Sequence, residues 1–396
     1  MKVDLKAWAA LVIVFSALLY MGFFQRSWYH HLSGDPQLYS SIAIRIFEHR
    51  DVPGFERAFL YPPGANLFFG VIEILGRNNF GVVLASINLC LLAFLFFLYK
   101  KFGTGWLWVP ISLSAGPIML FRYDLIPILL VISGTIFFIK KSYLISGLVF
   151  GLAISTKIYP IFLIPYFGLN LLVTKNLRGG SGFILGLALG SIGIAVGYLL
   201  LSGQTITSLI EGFNYNFSKS IHVESVLGTI LTLIARFNFS TAPWVEFTNG
   251  ILSLSFQYTM GRDRLFRYMW MVFMVGLYVL LYIKRKNIAT KIRFEVIATV
   301  LLYLIVVSNV LSPQYLLWSF FLLPLIKFPI SNLLLVCAVL VLTQIVYPLY
   351  YEDLYWVFYK SWDHAWVFIA LLLRNIILVI LVLKSIQAYV LSPKYR

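Results

Sequence analysis

The residue best placed for chemistry in this sequence is Asp35. It lies in the segment His31-Leu32-Ser33-Gly34-Asp35-Pro36, shortly after a long apolar run from Ala7 to Phe24. Only 12% of the chain is Asp, Glu, Lys or Arg, so a carboxylate at the end of an apolar run is conspicuous. A carboxylate at a membrane–water boundary can take a proton from a hydroxyl group. Asp35 is therefore the candidate catalytic residue.

Lys157 is the second candidate, because it interrupts a run of mostly apolar residues between Tyr143 and Val173. The apolar stretches on either side are short for membrane spans, which need about 20 residues. This predicts that Lys157 lies in a recess below the surface. A lysine at membrane depth costs about 2.5–3.5 kcal/mol unless it reaches water or a partner. It either extends to water from a helix turn or is a cation for an anionic group such as a lipid phosphate. We favour the second interpretation.

Arg122 and Asp124 stand together in Phe121-Arg122-Tyr123-Asp124, a turn between two apolar runs. They are either a surface pair that caps two helix ends or part of a functional site. A guanidinium group has forked donors that suit a phosphate. Asp35 and Asp124 could share a metal ion, but no ligand spacing requires one.

Three further candidates for substrate binding lie later in the chain. His222 and Glu224 open a predicted short helix in His222-Val223-Glu224-Ser225-Val226-Leu227-Gly228. His222 could donate to a phosphate, whereas Glu224 and Ser225 could simply cap the helix. Gln314 follows the helix-breaking Pro313 and could bind a sugar or satisfy the broken backbone.

The composition places these residues in a polytopic membrane protein. The 396-residue chain is 60% hydrophobic, its mean hydropathy is +0.88, and no polar segment has the length of a soluble domain. We predict an all-α fold with about twelve transmembrane helices in one membrane-embedded domain, residues 1–396. The predicted spans lie near residues 7–24, 79–99, 104–121, 124–139, 142–156, 158–174, 181–201, 267–283, 294–310, 314–327, 330–348 and 364–384.

The net charge of +16 follows from basic loops rather than from a nucleic-acid surface. Clusters such as Lys100-Lys101, Lys140-Lys141 and Lys284-Arg285-Lys286 all fall on one side if both termini are inside. The acids on that side are only Asp4 and Glu295. Because Lys and Arg mark the inner side, Asp35 is predicted on the external face, in a cell membrane by expectation. No nucleic-acid partner is expected.

Two long external segments, about 25–78 and 202–266, are predicted to carry interfacial helices. The first helix is predicted over 36–49, with Asp35 as its N-cap and Pro36 as its first residue. Capping lowers the pKa of a carboxyl group and so conflicts with a role as base. The apolar stretches 65–75, 225–237 and 251–260 are too short to span and are predicted as interfacial or re-entrant helices.

The residues resemble the GT-C class of integral-membrane glycosyltransferases, most closely glycosyltransferase family 87 (DUF2029). The similarity extends to about residue 325 and includes Lys157 with Pro160. Its first two elements are Asp35 followed by Tyr39, and Tyr61-Pro62-Pro63. The remaining two are Arg122 with Asp124, and Ser312-Pro313-Gln314-Tyr315. One departure is Val223-Glu224-Ser225, where the family often has Asn-Gln-Ser.

This resemblance implies an inverting transfer on the external face. A hexose, mannose by the resemblance, would pass from a polyprenyl-phosphate sugar to a lipid-linked or glycolipid acceptor. Asp35 would be the base, and Arg122, Lys157 and His222 would face the phosphate. Tyr39, Tyr61, Asp124, Glu224 and Gln314 would help to bind the substrates. Membrane lipids are expected partners, and no cofactor is expected.

Two other functions remain open on the sequence. A twelve-span secondary transporter or lipid flippase is the main alternative, although transporters usually show internal repeats and none is visible. A non-catalytic lipid-binding or scaffold subunit is the third possibility.

Overall fold

The computed structural model describes residues 5–48, 61–101, 104–217, 219–237, 244–248, 251–255, 262–326, 329–354 and 364–392. These residues form mostly helices, with one small antiparallel sheet. The chain divides into two compact units. The first comprises Met1–Phe217, Ala289–Ile292 and Pro324–Ile326, and the second comprises Ser218–Ile288, Arg293–Leu323 and Lys327–Arg396.

The prediction of a helical membrane protein is confirmed. Within the described residues, five helical stretches are long and apolar enough to cross a membrane. Each has at least the 20 or so residues that a span requires. They are Leu5–Phe24, Phe80–Lys101, Leu177–Ser202, Ile330–Leu349 and Ala365–Leu391.

Several other predicted spans are shorter or broken helices. The clearest break falls in the predicted span 104–121, where Gly116 adopts a positive φ of 65° and Pro117 follows. A left-handed glycine and a proline without an N–H both end a helix. This break leaves the short helix Ile118–Phe121 directly before Arg122.

The first unit contains twelve helices among its described residues. Its first helix continues as a π-helical turn over Tyr20–Phe24. The helices are α1 (Leu5–Leu19), α2 (Arg26–Leu32), α3 (Gly34–Phe47), α4 (Pro63–Gly76), α5 (Phe80–Lys101), α6 (Trp108–Ala115), α7 (Ile118–Phe121), α8 (Leu125–Ile139), α9 (Tyr143–Thr156), α10 (Ile164–Val173), α11 (Leu177–Ser202) and α12 (Ile206–Phe217).

Helix α3 buries its apolar face against protein. Tyr39, Ile42 and Ile46 on this face are almost fully buried in a core formed with α4 and the start of α5. The helix predicted over 36–49 therefore packs its apolar face on α4. The last predicted residue of this helix, His49, lies outside the described residues, as does Leu60 before the Tyr-Pro-Pro element.

Helices α9 and α11 cross at very close range through glycines. A Cβ built on Gly147 would lie 2.0 Å from the Phe183 carbonyl oxygen, and one on Gly186 would lie 2.0 Å from that of Leu144. Gly151 and Gly190 extend the contact one turn further. Small residues four apart allow two backbones to touch in this way. Because Lys157 follows the last residue of α9, this crossing sets where Lys157 leaves the helix.

The second unit holds the remaining described helices and the sheet. The sheet order is β1-β3-β2, with β3 antiparallel to both neighbours. Its elements are β1 (Ile221–His222), α13 (Val226–Phe237), β2 (Trp244–Thr248), β3 (Ile251–Ser255), α14 (Arg262–Ile283), α15 (Arg285–Ile288), α16 (Phe294–Val307), α17 (Tyr315–Phe320), α18 (Ile330–Gln344) and α19 (Ala365–Ser385).

Two predictions for this unit are wrong: a helix over 251–260, and a helix that opens at His222. The stretch predicted as a helix over 251–260 begins as strand β3, and 256–260 lie outside the described residues. Leu252 and Leu254 alternate with serines, a period of two that favours a strand. The predicted helix at 225–237 is confirmed as α13, which begins at Val226. His222 therefore does not open that helix but lies in β1.

The close crossing of α9 and α11 predicts a position-specific effect of adding a side chain. Gly186→Leu should destabilise the protein by about 1–3 kcal/mol, the usual cost of overpacking. Gly193→Leu, on the same helix but with no atom within 4 Å of the added Cβ, is the control and should unfold at or above the parent temperature. Thermal unfolding followed by tryptophan fluorescence measures both. Equal melting temperatures for the two variants would contradict the crossing.

Candidate functional site

Asp35 is the second residue of α3, not its cap. The helix begins at Gly34, and the preceding Ser33 is itself helical in conformation, with no capping hydrogen bond from its side chain. Only Ser33 separates α2 from α3, and its N–H donates to the Tyr29 carbonyl at 2.9 Å. Because the chain is already helical before Pro36, no cap forms at Asp35. The predicted conflict between capping and base function is therefore absent.

The carboxylate of Asp35 forms an ion pair with Arg122. Oδ2 of Asp35 contacts a terminal guanidinium nitrogen of Arg122, and the two side chains are only 15% and 12% exposed. Arg122 is extended in conformation and directly follows α7. The buried Asn88 of α5 donates to the carbonyl oxygens of Leu120 and Arg122 at 2.9 and 2.8 Å. Helix α5 therefore holds the turn that presents Arg122.

Asp124 and Lys157 form a second ion pair. Nζ of Lys157 donates to Oδ1 of Asp124 at 2.7 Å, and the Asp124 side chain is 1% exposed. The same ammonium lies 4.5 Å from the ring centroid of Tyr123, a cation–π distance. The sequence favours Lys157 as a cation for an anionic group over a lysine that extends to water. At 12% exposure Lys157 is largely shielded, and the anionic group that it contacts is the Asp124 carboxylate.

The end of α9 is set against the start of α4. A Cβ on Gly64 would lie 2.8 Å from the backbone carbonyl of Ser155, so only glycine fits this approach. Gly64 belongs to the Tyr61-Pro62-Pro63-Gly64 element, and Lys157 follows Ser155 by two residues. The Tyr-Pro-Pro element therefore packs next to the turn that carries Lys157.

An aromatic cluster adjoins the two ion pairs. The rings of Tyr39 and Phe69 are stacked with centroids 4.4 Å apart, and Tyr39 meets Tyr61 edge-on at 5.5 Å. Tyr123 lies 5.6 Å from Tyr39 and 5.8 Å from Tyr61. Edge-to-face and offset arrangements at these distances are favourable. Both predicted tyrosines, Tyr39 and Tyr61, therefore belong to the same cluster as the charges.

Burial decides the acidity of Asp35. It raises the pKa of this carboxyl group above its ordinary value of 3.8, and the neighbouring Asp124 adds to the rise. Arg122 and Lys157 oppose the rise but do not cancel it. A raised pKa makes the Asp35 carboxylate a stronger base than an exposed aspartate. Each carboxylate also contacts a side-chain cation.

The cluster can perform two kinds of chemistry. Its two cations can contact an anionic group, because Arg has five donors in a fixed fork and Lys has three. Its raised-pKa carboxylate can accept a proton from a hydroxyl group. Six predicted site residues are together here: Asp35, Tyr39, Tyr61, Arg122, Asp124 and Lys157.

His222 lies in the second unit and is buried and neutral. The backbone N–H of His222 donates to the Asn309 carbonyl at 2.9 Å, and the His222 ring is hydrogen-bonded to the Leu311 backbone. Burial, with a smaller contribution from Lys219, lowers the pKa of His222 to about 3. It is uncharged at neutral pH, so we assign it no cationic role.

Glu224 and Gln314 also lie in the second unit. Gln314 directly precedes α17 and is 5% exposed. Glu224 lies in the turn before α13, where Ser225 caps the helix by accepting from the Gly228 N–H at 2.9 Å. The interpretation of Ser225 as a capping residue is thereby confirmed.

The turn at Glu224 is held by two residues of a long apolar helix. Arg374 in α19 is fully buried and donates to the Glu224 carbonyl oxygen. Asn375 donates to the side chain of Thr229 at 2.7 Å and to the Glu224 carbonyl at 3.3 Å. A charged residue inside an apolar span is costly, and these contacts offset part of that cost.

Sequence reasoning overlooked Tyr123, Asn88 and Arg374. Tyr123 and Asn88 carry no signal of their own, because one is an aromatic residue among many and the other a single amide in an apolar run. Arg374 did carry a signal, since a lone arginine within an apolar span deserves a functional or structural explanation.

No protein-family model matches the chain, and no curated protein matches its sequence significantly.

The buried Asp124–Lys157 pair predicts a stability effect that depends on both partners. Asp124→Asn leaves the Lys157 ammonium buried without this carboxylate, at a cost of about 3–5 kcal/mol. Lys157→Met alone should be similarly destabilising, whereas the double variant should regain most of the stability. Melting temperatures of the purified protein measure the coupling.

The control is an exposed ion pair of the same chain. Arg77 and Glu48 lie 3.4 Å apart with side chains 72% and 27% exposed, so Glu48→Gln should cost less than about 1 kcal/mol. A double variant at Asp124 and Lys157 that is no more stable than either single variant would contradict the buried pair.

Proposed function

We propose that the protein is a membrane glycosyltransferase similar to the GT-C class and family 87. In this proposal the fold has about twelve spans, and the site faces the external side of a cell membrane. The donor is a polyprenyl-phosphate hexose, taken to be mannose. The observation that carries the proposal is the buried cluster of Asp35, Arg122, Asp124 and Lys157, which combines one carboxylate of raised pKa with two cations.

The two cations suit the phosphate of the donor. A departing phosphate gains negative charge as the glycosidic bond breaks, and preorganised cations in a shielded site stabilise that charge strongly. Arg122 can contact the phosphate while it keeps Asp35, because its fork has several donors. Asp124 holds Lys157 in place by the 2.7 Å hydrogen bond, so it acts as a positioning residue.

Asp35 is suited to act as the base for the acceptor hydroxyl group. The acceptor hydroxyl oxygen attacks the anomeric carbon of the sugar, the bond from that carbon to the phosphate oxygen breaks, and polyprenyl phosphate leaves with the bonding electrons. The hydroxyl proton passes to the Asp35 carboxylate. One displacement of this kind inverts the anomeric configuration. Tyr61 is only partly buried and can offer its ring and hydroxyl group to the reacting sugar, whereas Tyr39 is buried against Phe69 and supports Tyr61 edge-on.

The membrane setting supports a lipid-linked donor. Asp35 follows the span Leu5–Phe24 closely, and the described residues are those of a helical membrane protein. The external side is argued from the basic residues of the other loops. The isoprenoid chain would then remain in the apolar layer while its phosphate reaches the cluster.

Transport or flipping of a lipid-linked sugar is the competing function. Buried, paired charges in a membrane protein also occur along transport pathways. A transporter would move the intact lipid-linked sugar without breaking the bond to phosphate, so formation of a glycosylated product separates the two functions.

The test is transfer in a reconstituted membrane. The purified protein in lipid vesicles receives radiolabelled polyprenyl-phosphate mannose and a membrane lipid extract, and a labelled product is sought. We expect transfer by the parent protein, and a loss of about 10²–10⁴-fold for Asp35→Asn, the usual contribution of a positioned base. Asp35→Glu, which keeps a carboxylate, should retain part of the activity. No transfer from any polyprenyl-phosphate hexose would sink the proposal.

The pH dependence of the same assay identifies the base. Asp35 must be ionised to accept a proton, so kcat/KM should fall as the pH drops through its pKa. Because that pKa is raised, the fall should lie above pH 3.8, the ordinary value for an aspartate. Asp35→Asn should lack this acidic limb. An unchanged limb in Asp35→Asn would assign the titration to another group.

A further inference from the structure

A groove of about 490 Å³ lies on the other side of α3 from the charged cluster. It is bounded by α2, α3, the turn at 77–79 and the start of α5, and we name it the α3 groove. Its lining includes Tyr29, Ser33, Gln37, Ser40 and Asn79. Its volume is within the range of about 300–1,000 Å³ for small-molecule sites.

The α3 groove lies where two apolar helices end. Phe23 on its wall is the second-last residue of the span Leu5–Phe24, and Phe80 on its wall opens the span Phe80–Lys101. A groove at the ends of two spans lies at the boundary of the apolar layer. A molecule bound there can keep an attached lipid chain in the membrane.

One wall of the groove is aromatic. The rings of Phe23 and Phe121 are 5.2 Å apart, and Tyr29 lies 6.3 Å from Phe23 and 6.4 Å from Phe121. The rings are inclined to one another by 37° to 74°, and Tyr29, at 45% exposure, is more exposed than Phe121, at 1%. Flat aromatic surfaces suit the C–H faces of a sugar ring, which are apolar although the ring's edge is polar.

The facing wall is polar and comes from α3. Ser33, Gln37 and Ser40 recur at intervals of four and three residues, so they share one face of the helix. Ser40 donates to Glu73 at 2.6 Å and Ser33 to the His30 carbonyl at 3.3 Å, which leaves their oxygens able to accept. The exposed Gln37 adds amide donors and an acceptor.

The groove carries little net charge. Arg77 is its one cation among the lining residues, and it is paired with Glu48 at 3.4 Å. The lining therefore offers an anion one cation, whereas the charged cluster holds two. Hydroxyl and amide groups opposite an aromatic wall fit a neutral ligand with many hydroxyl groups.

We propose that the α3 groove binds a neutral saccharide, and that it is the acceptor site for sugar units next to the one that reacts. The first statement rests on the groove alone, and the second rests on the proposed function. Asp35 does not line the groove, so the reacting hydroxyl belongs to a unit beyond it. Pro36 and Phe121 line it and are the chain neighbours of Asp35 and Arg122, so the groove adjoins the charged cluster.

Gly81 provides a way to fill the groove without disturbing the charged cluster. A Cβ on Gly81 would lie 3.5 Å from Pro36, an ordinary van der Waals contact. Leucine is also a better helix former than glycine. Gly81→Leu should therefore fold and occupy space in the groove. Gly193→Leu, whose added Cβ meets no atom within 4 Å, is the matched control.

Binding is measured separately from transfer. The full chain in phosphatidylcholine nanodiscs is mixed with methyl glycosides of mannobiose, maltose and cellobiose, and saturation-transfer NMR reports contact with protein protons. We expect at least one disaccharide to bind. Gly81→Leu should weaken that binding about tenfold or more, a change of about 1.4 kcal/mol. Gly193→Leu should bind as the parent does.

The outcomes separate the two proposals. Binding that Gly81→Leu removes, without any transfer activity, supports the saccharide site and sinks the glycosyltransferase. Transfer whose acceptor KM is unchanged in Gly81→Leu sinks the acceptor role of the groove but not the enzyme. Binding of none of the disaccharides, or binding of sn-glycerol 3-phosphate in their place, overturns the saccharide site.

Discussion

Four charged side chains of the first unit, Asp35, Arg122, Asp124 and Lys157, are withdrawn from water, and each requires an opposite charge at contact distance. Placing an ion in a low-dielectric interior costs several kcal/mol, and only a close partner with further hydrogen bonds offsets that cost. The Asp35–Arg122 and Asp124–Lys157 contacts supply the close partner for each of the four charges. Packing and hydrogen bonds fix the elements that carry these four residues. The apolar face of α3 packs in a core, Asn88 donates to the turn after α7, and the glycine crossing with α11 positions the end of α9.

The same pairing explains how the cluster could act on an anionic substrate. The cluster has two cations and two carboxylates and therefore no net charge. An arriving phosphate would add negative charge to it. Arg122 then has two anions to contact and its fork has donors for both. In the proposed reaction, a contact from Arg122 to the phosphate would weaken its contact with Asp35 and so raise the basicity of the carboxylate that accepts the proton.

Much of this site was readable from the sequence because charged residues are rare in it. Asp35, Arg122, Asp124 and Lys157 each stood out, but their pairing did not, since Lys157 and Asp124 are 33 residues apart and meet through tertiary packing. The predicted N-cap at Asp35 is wrong. The chain is already helical at Ser33 and Gly34, so Pro36 does not mark the start of the helix.

Other errors had signals that were misread or overlooked. The apolar run after Ile251 was read as a helix although its Leu-Ser alternation favours a strand. Gly147, Gly151, Gly186 and Gly190 had the spacing of a close helix crossing. The central claim is that Arg122 and Lys157 bind the phosphate of a polyprenyl-phosphate donor. The most direct measurement is a cryo-EM structure with citronellyl phosphate, a short polyprenyl phosphate. The account predicts its phosphate within hydrogen-bond distance of both side chains; a phosphate bound away from both would contradict it.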